Sequence, residues 1–314
     1  MKTLFSIGID IGGTNTDMGL VNRAGQCFAR TRLSTAAYFD ANRYVDDLVS
    51  TIGQFQEENG IKELQGIGIG APNANYYTGC IESATNLNFK DSFPIRRMLQ
   101  DKLHLPVEIT NDANAAAYGE MIYGGAQGMK HFIMVTLGTG VGSGFVVDGH
   151  LVYGHDGYAG ELGHTIVFPE GRMCNCGRRG CLEQYVAARG ITQTCLEMMS
   201  RAPYSGALTK YEMNELGCRA IANEANAGDK VAQEVFEYTG HLLGVALANA
   251  VTFSSPEAIF LTGGIMQAGD LLLNPLKHSF EDNLLFIYKN KVKLRCSELP
   301  FNDASILGAA ALVF

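Results

Sequence analysis

The feature that most constrains the fold of this chain is a strand, a glycine-rich turn and a second strand, a pattern that occurs twice. The first copy covers residues 4–21, with its turn at residues 12–14, and the second covers residues 132–147, with its turn at residues 138–142. The apolar runs have the length of strands, and the glycines allow the chain to reverse sharply between them. The copies differ too much to be a sequence repeat, but they indicate two domains built on a related plan.

Helical segments alternate with these strands. After Asp40, apolar residues recur at spacings of three and four, which predicts a helix. Alternating strands and helices indicate an α/β architecture, and 314 residues are more than one ordinary core requires. We therefore predict a small α/β domain formed by residues 1–110 plus about 303–314, and a large α/β domain formed by residues 111–302.

Charge and hydropathy exclude several classes of partner. The chain has 32 acidic and 24 basic residues, a formal charge of -8, and no block of lysine and arginine that could follow a phosphate backbone. No apolar run reaches the roughly 18 residues that a membrane span needs, and the N-terminal run meets Asp10 before it could serve as a signal sequence. We expect a cytoplasmic protein that binds neither nucleic acid nor a membrane.

The first glycine turn carries groups that suit a nucleotide. Asp10 ends the first strand, Gly12 and Gly13 allow backbone N–H groups to approach an anion, and Thr14 and Thr16 add hydroxyls. Such a turn can hold phosphate while the carboxylate holds a hydrated Mg²⁺. A plain β-hairpin that needs Gly-Gly for its backbone conformation fits the same residues equally well.

Two further glycine segments are candidates for the same role. Gly138, Thr139 and Gly140 form the second turn, and Gly263 and Gly264 follow an apolar strand. The second turn has glycine at every second position, which differs from the G-x-G-x-x-G that opens a helix in dinucleotide-binding folds. A P-loop is also excluded, because the chain contains no Gly-Lys dipeptide.

Asn111 and Asp112 lie where a predicted strand, residues 107–110, meets an alanine-rich helix. From the local sequence alone, Asp112 is more typical of a helix N-cap than of a catalytic group. The alternative is that this carboxylate accepts a proton from a substrate hydroxyl, which is how the acceptor of a phosphoryl group is activated.

A possible metal site is the most specific signal in the chain. One histidine and three cysteines lie within residues 164–181: His164, Cys174, Cys176 and Cys181. One imidazole and three thiolates complete a closed tetrahedral Zn²⁺ site, which predicts a structural zinc knuckle, although a reduced, metal-free cluster would have the same sequence. Glu161 and Glu183 flank this segment, and we interpret them either as surface charge or as groups held rigidly toward a polyol.

These segments together resemble the ROK family of sugar kinases and repressors, and most closely its glucokinase-type hexokinases. The resemblance covers nearly the whole chain, and its cysteine motif with the upstream AGELGH is highly specific, whereas each glycine turn alone is not. The motifs that carry it are DIGGT at 10–14, NDANAAA at 111–117, GTGVG at 138–142, AGELGH at 159–164, CNCGRRGCLE at 174–183 and TGGI at 262–265.

The resemblance implies an actin-like, ribonuclease-H-like fold of two α/β domains, with ATP and sugar meeting in the cleft between them. It implies that Asp112 is the base that takes the proton of the sugar 6-hydroxyl, and that His164 uses one ring nitrogen for zinc and the other for the sugar. The other implied sugar contacts are Asn111, Glu161, Glu183 and, in a loosely matching stretch, Asn86.

The resemblance also implies that the phosphates of ATP lie along the first and second glycine turns, with Gly263 and Gly264 nearer the nucleoside. Many relatives have lysine where this chain has Asn15, so we assign no cationic phosphate contact there. The family further implies a homodimer, although no interface residues can be identified in the sequence.

The leading hypothesis is therefore an ATP-dependent hexokinase that converts glucose to glucose 6-phosphate. N-acetylglucosamine, N-acetylmannosamine, mannose and fructose are alternative acceptors, because selection at C2 depends on pocket shape, which the motifs do not determine. A sugar-responsive repressor is the alternative from another class, and we disfavour it because the first nucleotide strand begins at Leu4, which leaves no room for an N-terminal DNA-binding module. A binding protein without turnover is disfavoured because the expected catalytic groups are intact.

Overall fold

The structure is a computed structural model that describes residues 4–83, 87–89, 91–201, 203–300 and 303–314. The strands in this part of the chain are β1 (Phe5–Ile11), β2 (Thr16–Asn22), β3 (Cys27–Leu33), β4 (Ile67–Ala71), β5 (Val107–Asn111), β6 (Phe132–Leu137), β7 (Val141–Val147), β8 (His150–Leu151), β9 (Ala258–Thr262) and β10 (Lys293–Cys296). The α-helices are α1 (Ala41–Glu58), α2 (Ile95–Leu103), α3 (Asp112–Tyr123), α4 (Glu183–Val186), α5 (Ala188–Ser200), α6 (Cys218–Asn226), α7 (Lys230–Ser254), α8 (Asp270–Asn283) and α9 (Ala304–Ala311).

Among the described residues, the strands form two five-stranded sheets. The first has the order β3-β2-β1-β4-β5. β1 and β2 are antiparallel neighbours joined by the first glycine turn, whereas β1, β4 and β5 are parallel. The expected strand, glycine turn and strand at the N-terminal end is thus confirmed, and the parallel strands bring their carboxyl ends to one edge.

The second sheet has the order β10-β9-β6-β7-β8. Strands β6, β9 and β10 are parallel, and β7 and β8 are antiparallel. The second glycine turn connects β6 to β7, as the sequence predicted. The carboxyl ends of β6 and β9 are neighbours, since Thr136 pairs with Thr262.

The chain divides into two compact units, and their limits differ from the domains predicted above. The first contains residues 1–130, 144–160 and 297–314, and the second contains residues 131–143 and 161–296. Helix α3, which we had assigned to the large domain, belongs to the first unit. A Cβ added to Gly308 of α9 would lie 1.8 Å from the carbonyl oxygen of Ala115 in α3, so glycine allows these two helices to touch.

The helix expected after Asp40 is confirmed as α1, and it covers one face of the first sheet. The Asp40 carboxylate caps it by accepting a hydrogen bond of 2.8 Å from the backbone N–H of Arg43. The residues at the predicted spacing are all buried in the core of this unit: Tyr44, Leu48, Ile52 and Phe55. Burial of this apolar stripe is what stabilises a helix of this length.

Within the described ranges, none of the helices combines the length and the apolar character that crossing a membrane would require.

Candidate active site

In the first unit, the carboxyl edge of the sheet gathers three predicted site residues. Asp10 of β1 pairs with Gly70 of β4, and the next residue of β4 pairs with Asn111 of β5. A Cβ added to Gly70 would lie 3.5 Å from the Cα of Asp112, so the small residue leaves room for α3 to begin at this edge. Asp10, Asn111 and Asp112 therefore share one edge of the first sheet.

The cap of α3 differs from the local sequence interpretation. Asn111 is the N-cap, and its side-chain oxygen accepts a hydrogen bond of 2.9 Å from the backbone N–H of Ala113. The same N–H of Ala113 also donates to Oδ1 of Asp112 at 2.8 Å. Asp112 is the first residue of the helix, and its side chain is exposed. Because another residue fills the capping position, the second carboxylate oxygen of Asp112 is not needed for the helix.

The electrostatics of this edge favour protonated carboxyl groups. Burial, with a further contribution from the negative charge of Asp112, raises the pKa of Asp10 to about 7. Desolvation by surrounding protein likewise raises the pKa of Asp112, and hydrogen bonds from the helix N-terminus oppose that shift. A raised pKa is typical of carboxylates that accept protons.

The first glycine turn is closed by its own backbone. The N–H of Gly12 donates to the carbonyl of Asn15 at 2.8 Å, and Thr14 at its tip is exposed. Thr16 differs from the expectation that it contacts nucleotide, because it is fully buried and its hydroxyl bonds to those of Thr35 and Tyr44. Its position as the first residue of β2 turns its side chain into the core, so it supports the turn from beneath.

In the second unit, two of the glycine segments meet at the carboxyl edge of the sheet. Gly263 has φ of 112° and ψ of 168°, and a Cβ on it would lie 2.1 Å from the carbonyl oxygen of Leu137. Only glycine permits this approach of the end of β9 to the end of β6. Leu137 is followed directly by the second glycine turn, where the N–H of Gly138 donates to the carbonyl of Gly140 at 3.0 Å and Thr139 is exposed.

Helices α4 and α5 hold this second turn at both ends. The carboxylate of Glu183, the first residue of α4, accepts a hydrogen bond of 2.9 Å from the N–H of Val141. The N–H of Ala188, the first residue of α5, donates to the carbonyl of Gly138 at 3.0 Å. A Cβ on Gly140 would lie 2.6 Å from Glu183 Oε2, so a side chain there would displace the carboxylate.

The AGELGH segment lies against the strand that follows the turn. A Cβ on Gly163 would lie 2.3 Å from the carbonyl oxygen of Val141, and the N–H of Leu162 donates to the Ser143 hydroxyl at 3.2 Å. These contacts fix the ends of a short 3₁₀ turn, Leu162–His164. Glu161 at its start is exposed and His164 at its end is half-buried.

The four predicted zinc ligands converge. Their ligand atoms all lie within 4.8 Å of one another. The Sγ of Cys174 is 3.7 Å from Nδ1 of His164, and the Sγ atoms of Cys176 and Cys181 are 3.6 Å apart. Sulfur atoms about 2.3 Å from a tetrahedral Zn²⁺ are separated by about 3.8 Å, so the residues fit that metal. The amide of Gln184 also donates to the Cys174 sulfur at 3.4 Å, which stabilises a thiolate.

The predicted residues are thus distributed over both units. The first unit holds Asp10, the first turn, Asn111 and Asp112, and the second unit holds the other described candidates; Asn86 lies outside the described residues. Sequence reasoning missed the roles of Val141 and Ala188. Both act through backbone N–H groups, which every residue except proline carries and which therefore leave no signal in the sequence.

Comparison with known proteins gives consistent matches along the whole chain. The family described as "ROK family" matches residues 6–314. A glucokinase of Halalkalibacterium halodurans is 36% identical, covering 100% of this chain and 96% of that protein. The xylose repressor of Bacillus subtilis is 28% identical, covering 99% of this chain and 77% of the repressor.

A solved structure gives the same result for the fold. The ROK family glucokinase from Streptomyces griseus, in complex with glucose and AMPPNP, is 30% identical and covers 98% of both chains with a TM-score of 0.82. This agreement confirms the predicted two-sheet α/β fold of the actin-like sugar kinases.

Proposed function

The chain belongs to the ROK family, and from that premise we propose that it is an ATP-dependent hexokinase that converts glucose to glucose 6-phosphate. The observation that carries the proposal is the state of Asp112. Its carboxylate is exposed, it is not the helix cap, and its pKa is raised, which suits a group that accepts a proton. The glucokinase names of the similar proteins support the same activity.

In the proposed reaction, Asp112 takes the proton of the sugar 6-hydroxyl. The hydroxyl oxygen forms a bond to the γ-phosphorus of ATP, the bond from that phosphorus to the β–γ bridging oxygen breaks, and ADP leaves. A pKa above the ordinary aspartate value makes the carboxylate a stronger base for this proton. The hydrogen bond from Ala113 fixes one oxygen, so the carboxylate keeps its orientation when it is charged.

We propose that the glycine segments bind ATP. Backbone N–H groups of the first turn and of residues 138–140 would hold the phosphates, with the exposed hydroxyls of Thr14 and Thr139, and Gly263 and Gly264 would lie nearer the nucleoside. A bound Mg²⁺ supplies positive charge to the transferred phosphoryl group. Asp10 would hold it, since a bound cation stabilises the charged form of a carboxyl whose pKa is raised by burial and by the negative charge of Asp112.

We propose that the hexose hydroxyls are contacted by Asn111, Glu161, His164 and Glu183, with Asn86 as a further candidate. The Nδ1 atom of His164 lies in the cysteine cluster, which leaves Nε2 for the sugar. Zn²⁺ in this cluster would have a structural role, because the donor set has no open position. We also propose that the enzyme acts as a homodimer in the cytoplasm, where ATP is available and the clustered thiols remain reduced.

A coupled assay of ADP release across a panel of sugars tests the function. Glucose, mannose, fructose, N-acetylglucosamine and N-acetylmannosamine should all be compared by kcat/KM, and we expect glucose to have the highest value. A higher value for an N-acetylhexosamine would change the substrate assignment but not the class of reaction. No sugar-dependent ADP release with any of them would exclude a kinase and favour a sugar-binding regulator related to the xylose repressors.

The zinc assignment has its own measurement. Protein purified without chelator should contain about one zinc per chain, released by chelation only after denaturation. The Cys176→Ser variant should contain less metal. Metal-free protein with an intact fold would exclude the assignment without affecting the proposed reaction.

A further inference from the structure

Arg172 lies two residues before the first zinc-ligand cysteine, and its side chain is buried to an unusual degree for arginine, with 9% exposed. The guanidinium forms a bidentate pair with Glu197, with Nε 3.1 Å from Oε1 and Nη2 2.7 Å from Oε2. The group also lies over the ring of Tyr185, 4.5 Å from its centroid. An arginine held this way has one orientation, because its planar fork and its stacking face are both used.

The remaining donors of Arg172 reach both helices that hold the second glycine turn. Nη1 donates to the carbonyl of Gln184 in α4 at 2.7 Å and to the carbonyl of Gly190 in α5 at 3.0 Å. Nη2 donates to the hydroxyl of Thr194 in α5 at 2.9 Å. One side chain therefore joins the zinc segment, α4 and α5 at the corner between the two helices.

That corner is the support of the second glycine turn. Glu183, next to Gln184, accepts from the N–H of Val141, and Ala188, two residues before Gly190, donates to the carbonyl of Gly138. A movement of α4 relative to α5 would change the distance between these two supports. The backbone N–H groups between them would then lose the arrangement that suits a phosphate.

We propose that Arg172 is a positioning residue for the phosphate-binding turn formed by residues 138–141, acting through the α4–α5 corner without contacting substrate. The inference rests on the proposed function, since it assumes that this turn holds ATP. It assigns to the zinc segment a task on the nucleotide side of the reaction, in addition to the presentation of His164. Lysine cannot replace the arginine, because a single ammonium cannot form the bidentate pair and reach both carbonyls.

The test measures nucleotide binding alone. The Kd of Mg·AMPPNP is determined by calorimetry without sugar, on zinc-loaded wild type and Arg172→Lys. We expect the Kd to rise about tenfold, within the range by which residues without ligand contact can affect binding. The KM for ATP should rise by a similar factor, while kcat at saturating ATP falls about threefold or less, since Asp112 is untouched.

Arg96→Lys is the matched control. Arg96, in the first unit, is also clamped by a carbonyl (Tyr76, 2.6 Å), a carboxylate (Glu108, 3.2 Å) and an aromatic ring (Tyr76, 5.7 Å). We expect it to lower stability without changing the Kd of Mg·AMPPNP. If Arg172→Lys does not fold, Glu197→Gln replaces it, because the amide keeps the shape but loses the charge.

The outcomes separate the inference from the function on which it depends. An unchanged Kd in the folded Arg172 or Glu197 variant, with zinc content preserved, would overturn the positioning role. An equal rise in the Arg96 control would also overturn it, because the effect would then be general loosening. Wild type that does not bind Mg·AMPPNP at all would instead refute the proposed kinase.

Discussion

The two sheets share a strand, glycine turn and strand, but the chemical groups at their carboxyl edges differ. The edge of the first sheet is acidic, with Asp10 and Asp112 both at raised pKa. The edge of the second sheet, in the region of Leu137 and Gly263, is shaped by close backbone contacts and leads into the second glycine turn. Carboxyl groups suit a proton and a metal ion, whereas neutral amides suit an anion, so the two edges fit different parts of the proposed chemistry.

The two glycine turns also differ in what stabilises them. The first is closed by a hydrogen bond between its own residues, Gly12 and Asn15, and is supported by the buried Thr16. The second also has an internal hydrogen bond, from Gly138 to Gly140, but it is held in addition by Glu183 and Ala188, which follow it by more than forty residues. The contacts of the first turn come from residues that follow it closely, such as Thr35 and Ala36, whereas the second turn depends on the first residues of α4 and α5, much further along the chain.

The largest expected effect comes from removing the charge of the acidic edge. Asp112→Asn keeps an oxygen that can accept from Ala113 but cannot take the proton, so kcat should fall by about a thousandfold, within the range for a lost general base. The Kd values of glucose and Mg·AMPPNP should change less than threefold, since the glycine turns and the other proposed sugar contacts are unchanged. Calorimetry measures the Kd values, and the ADP assay measures kcat. Turnover within tenfold of wild type would show that another group removes the proton.

At the carboxyl edge of the second sheet, an added side-chain atom should lower stability. Gly263→Ala places a Cβ 2.1 Å from the Leu137 carbonyl and also strains a backbone with φ of 112°, so we expect the free energy of unfolding to fall by about 2–4 kcal/mol. Gly269→Ala is the control, because its φ of 59° is strained but no atom lies within 4 Å of the added Cβ. Urea unfolding compares them. Equal losses would mean that the contact between β6 and β9 is unimportant.

The raised pKa of Asp10 should make stability depend on pH. Folded Asp10 keeps its proton up to about pH 7, whereas the unfolded chain releases it near the ordinary value of 3.8. The folded state binds more protons between these values, so stability should fall as pH rises from about 4 to about 7 in the absence of Mg²⁺. Asp10→Asn should flatten this slope. The control is Asp101→Asn, which removes an exposed carboxyl on α2 and should leave the slope unchanged.

The parts of the site that the sequence predicted are those whose groups are close together along the chain. The strand, turn and strand around Gly12, the helix after Asp40 and the cluster of His164 with three cysteines all follow from short-range spacing, and all are present. The predicted domain limits differ from the compact units at α3, because the unit to which this helix belongs depends on its close contact with Gly308, near the other end of the chain. The support of the second turn by Ala188 was missed because it is a backbone contact.

The smallest effects should come from two threonines, one for each turn. Thr16→Val removes a hydroxyl that bonds to those of Thr35 and Tyr44 in the core, and it should lower the free energy of unfolding by about 1–3 kcal/mol while the KM for ATP stays constant. Thr139→Val removes an exposed hydroxyl, so stability should be unchanged and the KM for ATP should rise about threefold to tenfold. Thr16→Val should thus change stability but not the KM for ATP, whereas Thr139→Val should change the KM for ATP but not stability. A raised nucleotide KM in Thr16→Val would mean that nucleotide binding at the first turn also depends on the buried side chains beneath it, and the contrast between the two turns would then fail.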